Sequence, residues 1–187
     1  LEWVLAIETG DDAVDLSAIP WVRPFGELLE HQVATLDSRT TDPEAPLQIM
    51  FTSGTTGDPK GIVGSNLRFC GAALLGHLFG YGPDDRPYTG LSLTHGNAQS
   101  VTLAPALHMG LRAVVSRRFT RSKLWDVCRA HGCTTFSLLG GIATAIYSEP
   151  LRPNDAHNPV RMVISGGMPA GLWEAFEDRF DVRILEF

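Results

Sequence analysis

An α/β protein with a mainly parallel sheet and helices on both faces is the fold this sequence predicts. Three observations carry the prediction. Short apolar runs alternate with amphipathic segments of about ten residues through most of the chain. Glycines, prolines and other turn formers stand at the joints between them. The 187 residues are 44% hydrophobic and 19% charged, which is enough apolar content to fill one well-cored domain without disulfides.

Residues 1–7 read as a short buried strand, and 25–36 as a helix with Leu28, Leu29, Val33 and Leu36 on one face. The polar stretch 38–46 is a surface connection into a strand at 47–52. A short strand at 61–63 leads to a helix capped by Ser65, with Leu67, Cys70, Leu74 and Leu78 at helical spacing and Gly80 and Gly82 at its end. Beyond it the alternation is regular. Strands are expected at 88–93, 111–116, 134–138, 160–165 and 182–187. Helices are expected at 97–109, after a cap at Ser122 and closed by Gly132, at 142–147 and at 169–180. Pro169 suits a helix's first turn, where its missing N–H has no partner to lose. Residues 148–159, with three prolines, form a second surface loop. Alternation of this kind argues for βαβ units. In such sheets ligands bind beyond the carboxyl ends of strands, which here means the loops after Thr52 and after Ile164.

Composition narrows the function classes. A net charge of −6 argues against an electrostatic nucleic-acid binder. Three cysteines without framework spacing, Cys70, Cys128 and Cys133, point to a reducing compartment, so a cytoplasmic location is expected. No uninterrupted apolar run reaches the roughly 18 to 20 residues of a membrane span, and the start lacks a basic leader. Both ends read as cut: Leu1 replaces an initiating Met, and a strand-like alternation stops at Phe187 with no turn residue. A final strand exposed as an edge leaves a homo-oligomer open.

The chemistry concentrates in residues 52–61, TSGTTGDPKG. Glycines tolerate positive φ, so Gly54 and Gly57 let the backbone turn its N–H groups inward, and the hydroxyls of Thr52, Ser53, Thr55 and Thr56 add donors. Such a surface fits phosphate oxygens, and Lys60 adds a mobile positive charge. The Walker pattern G-x-x-x-x-G-K-S/T is not met, because Lys60 follows Pro59 and Gly61 stands where a magnesium-ligating hydroxyl belongs. Read alone, the stretch is also an ordinary Thr/Gly-rich turn.

All ten positions agree with the phosphate-binding signature S/T-S-G-S/T-T-G-x-P-K-G of the adenylate-forming superfamily, and on this string the chain resembles that family. Its members include acyl- and aryl-CoA synthetases, nonribosomal-peptide adenylation domains and firefly-type luciferases. The likeness runs over residues 46–187, and implies that the chain is part of the large N-terminal AMP-binding domain, truncated at both ends and without the C-terminal domain. Residues 91–95, LSLTH, resemble the family's L-P-L-F-H, departing at Ser92 and Thr94. There His95 would flank the reacting carboxylate, with Asn97 and Gln99 as further lining; a helix-capping role is the plain alternative. Residues 161–169, RMVISGGMP, resemble R-x-x-x-S-G-G-A-P, in which Gly166, Gly167 and Met168 would face adenine. Gly140 and Gly141 occupy the region of a family loop whose usual Pro is absent.

The resemblance implies an acid–thiol ligase that uses ATP, Mg²⁺ and CoA to convert a carboxylic acid through an acyl-adenylate to its thioester, acting in fatty acid metabolism. In that reading Thr52, Ser53, Thr55, Thr56 and Lys60 meet the phosphates while Gly54 and Gly57 shape the loop. Two alternatives stay open: an adenylation domain loading a carrier protein, and a noncatalytic nucleotide-binding fragment. The second is favoured for these 187 residues alone, since the family's Y-G-x-S/T-E, ribose-binding Asp and C-terminal Lys are not among them. The C-x-x-H-x-C of Cys128, His131 and Cys133 reads as buried cysteines with a surface His rather than zinc. Arg117, Arg118, Arg121 and Lys123 read as a solvated basic loop that could also meet the phosphates of CoA.

Overall fold

In this computed structural model residues 4–6, 22–24, 27, 42–52 and 58–187 are described. The chain divides into two units, Leu1–Thr41 and Asp42–Phe187. In the first, β1 (Val4–Ala6) pairs in parallel with β2 (Val22–Pro24). The helix expected over 25–36 lies, but for Glu27, outside the described residues, and so does the loop 53–57.

The second unit opens with an antiparallel hairpin of β3 (Pro46–Thr52) and β4 (Lys60–Ser65), which stands apart from the main sheet. A parallel pair needs a crossover of a dozen or more residues, and the seven residues between Thr52 and Lys60 are too few, so these strands can only turn back on each other. Thr52 ends up directly opposite Lys60, so the two ends of the glycine loop are adjacent. The hairpin leads into α1 (Asn66–Ala73), whose N-cap Ser65 accepts the Arg68 N–H at 3.4 Å as expected.

The apolar stripe of this segment does not face inward. Leu67, Leu74 and Leu78 are exposed by more than half, and Cys70 is exposed. The helix breaks at Leu74 before the short α2 (Leu75–Leu78), and the buried positions are the small ones, Ala73 and Gly76. A methyl group on Gly76 would lie 2.7 Å from Met109 Sδ and 2.9 Å from Pro105 Cβ, so backbone approach, not side-chain bulk, seats this helix pair.

Five strands form the parallel sheet, in the order β6 (Val114–Val115), β5 (Pro87–Thr89), β7 (Thr135–Leu139), β8 (Met162–Gly166) and β9 (Arg183–Glu186). Each starts or ends within a few residues of expectation. The largest shortfalls are β5 and β6, which stop after three and two residues. Helices cover both faces. On one side α4 (Leu124–His131), α5 (Gly140–Tyr147) and α6 (Trp173–Phe180) bury Leu124, Trp125, Cys128, Ile146, Phe176 and Phe180 against Phe136, Leu138 and Val163. On the other, Phe79, Tyr81 and Val101 pack against Met162 and Ile164. Neighbouring residues of β8 thus serve opposite cores, the period-two pattern of a doubly covered strand.

The helix expected at 97–109 is interrupted. Residues Ala98–Leu103 are π-helical and only α3 (Ala104–Met109) is regular. Pro105 has no N–H to give Val101, one turn earlier, and that carbonyl instead accepts the Tyr81 hydroxyl at 3.1 Å. Burial pushes the Tyr81 pKa up to about 12, so it remains a donor at every ordinary pH. Ser122 does not cap its helix; a 3₁₀ turn, Arg121–Lys123, precedes α4, whose other end is closed by Gly132 at φ 61° as expected. Cys128 and Cys133 are buried and His131 is exposed. The hydrogen bond from Cys128 to Cys133, with burial, raises the Cys128 pKa.

Two polar assemblies fix the connections. The Arg179 guanidinium is 8% exposed; it bonds Asp155 Oδ2 at 2.8 Å and the carbonyls of Tyr147, Glu149 and Pro150, while stacking over Phe180. It pins the loop between α5 and β8. At the starts of the same parallel strands Asp85 receives Arg161 Nε at 2.9 Å, Thr134 Oγ1 at 2.6 Å and the Gly82 N–H at 2.8 Å.

Two outcomes follow. Arg179→Met strands Asp155 as a buried, uncompensated charge and should lower unfolding free energy in urea by about 3 to 5 kcal/mol. For Asp85, burial alone would raise the pKa, but the hydrogen bonds from Arg161, Thr134 and Gly82 outweigh it and lower it from 3.8 to about 2. Its stabilising contribution is complete above the ordinary value and is lost as pH falls towards 2. Acid unfolding followed by circular dichroism should therefore be less steep between pH 4 and pH 2 in Asp85→Asn, whose stability should already be lower at neutral pH.

Candidate functional site

The carboxyl ends of β5, β7 and β8 bring together residues far apart in sequence. After β5 the chain makes a tight polar turn in which Ser92 Oγ accepts the Thr94 N–H at 3.3 Å and lies 2.8 Å from Thr94 Oγ1. The two departures from L-P-L-F-H therefore stiffen the turn that proline would otherwise stiffen. His95 follows, exposed, with Nδ1 accepting the Asn97 N–H at 3.1 Å. In a neutral ring this bond leaves the proton on Nε2, which becomes a donor available to a ligand.

Asn97 and Gln99, both expected to line one pocket, part company. Asn97 is buried, and neither atom of its amide has a hydrogen-bond partner. A methyl group on Gly166 would sit 3.9 Å from Asn97 Nδ2, which places the amide beside the end of β8. Gln99 instead lines a cavity of about 110 Å³ with Gln48, Met50, Phe69, Ala72 and Gly96, and its Nε2 bonds the Leu93 carbonyl at 2.8 Å. Met50 lies two residues before Thr52, and its Cε is 3.6 Å from where a Gly96 side chain would begin. The hairpin that carries the phosphate-loop candidate thus packs against the turn that carries His95.

Of that loop the ends are described. Thr52 closes β3, and Lys60, exposed, opens β4 opposite it. Ser53, Gly54, Thr55, Thr56 and Gly57 lie outside the described residues.

Gly166 ends β8, Gly167 and Met168 follow it, and the three offer different surfaces. Gly167 is exposed at φ +88°, a conformation that glycine alone adopts without strain. Met168 turns its side chain into the core and is 7% exposed. The N–H groups of Gly167 and Met168 donate to the Glu186 carboxylate at 3.0 Å and 2.9 Å. Across the turn, a side chain on Gly140 would collide with the Gly167 carbonyl oxygen. Half-buried Gly166 and exposed Gly167 thus present backbone without side chains at the end of β8. Gly140 gave a signal in the sequence as one of a pair of glycines directly after a strand. Glu186 gave none beyond its place in the strand pattern.

Among the described residues no three His, Cys, Asp or Glu side chains are grouped to hold a metal. Arg117, Arg118 and Lys123 are exposed, and Arg121 pairs with Glu149 at 2.6 Å. No helix among the described residues is long and apolar enough to cross a membrane.

A family model described as AMP-binding enzyme matches residues 5–187. Long-chain fatty acid transport protein 5 of Homo sapiens is 34% identical over 143 residues, covering 76% of this chain and 21% of that protein. The medium/long-chain-fatty-acid–CoA ligase FadD6 of Mycobacterium tuberculosis is 33% identical over 141 residues, covering 74% of this chain and 24% of that one. The chain thus spans less than a quarter of the length of either relative. Among solved structures, an anthranilate CoA ligase in complex with anthranoyl-AMP shares the fold at a TM-score of 0.81 and 21% identity, over 98% of this chain and 35% of that one. The o-succinylbenzoate coenzyme A synthetase of Bacillus subtilis, in complex with ATP and magnesium, does so at 0.73 and 22% identity, over 95% and 37%. With the phosphate-loop string, the sheet and the family model in agreement over nearly the whole length, the chain belongs to the AMP-binding enzyme family of adenylate-forming proteins.

Proposed function

We propose that the protein carrying this chain is an acid–thiol ligase: it activates a carboxylic acid with ATP and passes the acyl group to CoA. The observation that supports this most is the chain of contacts at the strand ends. Met50, in the strand that leads to the phosphate-loop candidate, reaches Gly96, Asn97 reaches Gly166, and His95 precedes both on the same turn with its Nδ1 bonded to the Asn97 N–H, which supports reading these segments as parts of one site.

In this reading the chain is part of an N-terminal AMP-binding domain. Thr52, Ser53, Thr55, Thr56 and Lys60 donate to the β- and γ-phosphates, with Gly54 and Gly57 shaping the loop. The backbone at Gly166, Gly167 and Met168 receives adenine. The His95 Nε2–H donates to one carboxylate oxygen and holds it still. The other oxygen attacks the α-phosphorus, the bond to the bridging oxygen breaks, and pyrophosphate leaves with its electron pair. The product is a mixed anhydride whose carbonyl a thiol can attack, expelling AMP, whereas the original carboxylate would repel it. Magnesium would neutralise phosphate charge; no cluster of described side chains fits it, so no residue here is assigned to it.

The acyl group enters beside His95, where the cavity near Gln99 mixes Met50, Phe69 and Ala72 with polar neighbours. Fatty acids are the substrate class that the named relatives suggest. Exposed Arg117, Arg118 and Lys123 suit the phosphates of CoA. Free thiols at Cys70, Cys128 and Cys133 suit a reducing cytoplasm.

The test is carboxylate-dependent exchange of labelled pyrophosphate into ATP by the whole protein, followed by thioester formation with CoA. Exchange that rises with added acid and falls at least a hundredfold in Lys60→Met supports the reading. Exchange indifferent to any carboxylic acid overturns it. Transfer to a carrier-protein thiol with none to CoA overturns the choice of acceptor alone.

A further inference from the structure

The turn after β8 is built from the two residues least able to hold a shape by themselves. A Gly-Gly pair has the largest backbone freedom of any dipeptide, and Gly167 sits in the left-handed region at φ +88°. A base can stack on such a backbone only if something else fixes it, since otherwise binding must also order the turn. Two features of the structure do the fixing. Glu186 stands opposite Ser165 in the parallel register, at the last rung of the sheet, so its side chain reaches past the end of β8. Its Oε1 accepts the N–H groups of Gly167 and Met168 at 3.0 and 3.2 Å, and Oε2 accepts Met168 again at 2.9 Å. From the opposite side, the first residue of α5, Gly140, lies so close to the Gly167 carbonyl that any side chain there would displace it. The turn is held by its N–H groups on one side and by its carbonyl on the other.

We propose that Glu186 is a positioning residue for nucleotide: with Gly140 as backstop, its carboxylate pre-forms the Gly166–Met168 turn on which the purine stacks. This rests on the nucleotide-site reading given above. The carboxylate does not act on the phosphates, so its effect belongs to ligands that carry the base. Gln in its place keeps one acceptor oxygen for the two N–H groups but loses the second oxygen's bond to Met168 and the negative charge. Alanine keeps neither.

The experiment titrates the whole protein that carries this chain, and its Glu186→Ala, Glu186→Gln and Gly140→Ala variants, with ATP, AMP and base-free tripolyphosphate by calorimetry. Amide exchange at Gly167 and Met168 is followed in parallel by NMR. Expected is a rise of about tenfold in the Kd for ATP and AMP in Glu186→Ala, a smaller rise in Glu186→Gln and a rise in the same direction in Gly140→Ala. Tripolyphosphate binding should stay within twofold of wild type, and exchange at Gly167 and Met168 should quicken while the core amides keep their protection. Equal weakening of ATP and tripolyphosphate would mean a general structural role and would overturn the proposal, as would unchanged ATP binding in Glu186→Ala. If wild type binds tripolyphosphate but gains nothing from the base, positioning fails while the phosphate-loop reading survives. Wild type that binds none of the three overturns both.

Discussion

The architecture depends on one carboxylate. Asp85 gathers donors from three segments, Gly82 on the approach to β5, Thr134 before β7 and Arg161 before β8. Main-chain bonds continue the lacing: Thr134 N–H to the Arg86 carbonyl, Arg161 N–H to that of Thr134, and Arg183 N–H to that of Arg161. Four parallel strands therefore start from a common line. In a parallel sheet the starting line also sets the finishing line, because each strand advances by the same rise per residue. Errors in register at Asp85 would be carried to Gly90, Leu139, Gly166 and Glu186, where the turns of the candidate site begin. The polar cluster and the candidate site lie at opposite ends of the same strands, coupled by geometry rather than contact.

Sequence reasoning read most of this correctly where the signal is periodic and local. The alternation that gives β8 its two buried faces, the cap at Ser65 and the stop at Gly132 are properties of a few adjacent residues, and they appear where expected. It was least informative where the outcome depends on what arrives from far away. The Leu67, Cys70, Leu74 and Leu78 stripe has the spacing of a buried face, but the close approach of Gly76 to Pro105 and Met109 seats the small side of the helix instead. Pro105 takes one donor out of the helix without telling what replaces it. Only Tyr81, 24 residues earlier, shows how the orphaned Val101 carbonyl is satisfied and why the helix widens rather than breaks.

The site follows the same division. Glycines at 166 and 167 and the turn before His95 announced themselves by residue type, because a close approach or a tight bend limits what can stand there. Gly140 showed as one of a glycine pair after a strand, but neither its contact with Gly167 nor the bonds of Glu186 could be read, since each has a partner at least 18 positions away. A motif records which residues meet the ligand; the residues that hold those in place need no motif, only the right position on a neighbouring strand.

The widened helix bears on the site in turn. A π-turn shifts the residues before it relative to those after it, and here the shift falls between Asn97 and α3. It leaves the Asn97 amide buried against Gly166 with both its donor and its acceptor unmet, and the Ser165 hydroxyl on the adjoining strand lacks a partner as well. Unmet buried amides are costly, and proteins keep few of them. Part of that cost sits at the end of the sheet where β8 opens towards the Gly-Gly backbone. A fold that spends its hydrogen bonds on alignment at one end can leave polar groups unspent at the other, and the strand ends are where an AMP-binding enzyme has use for them.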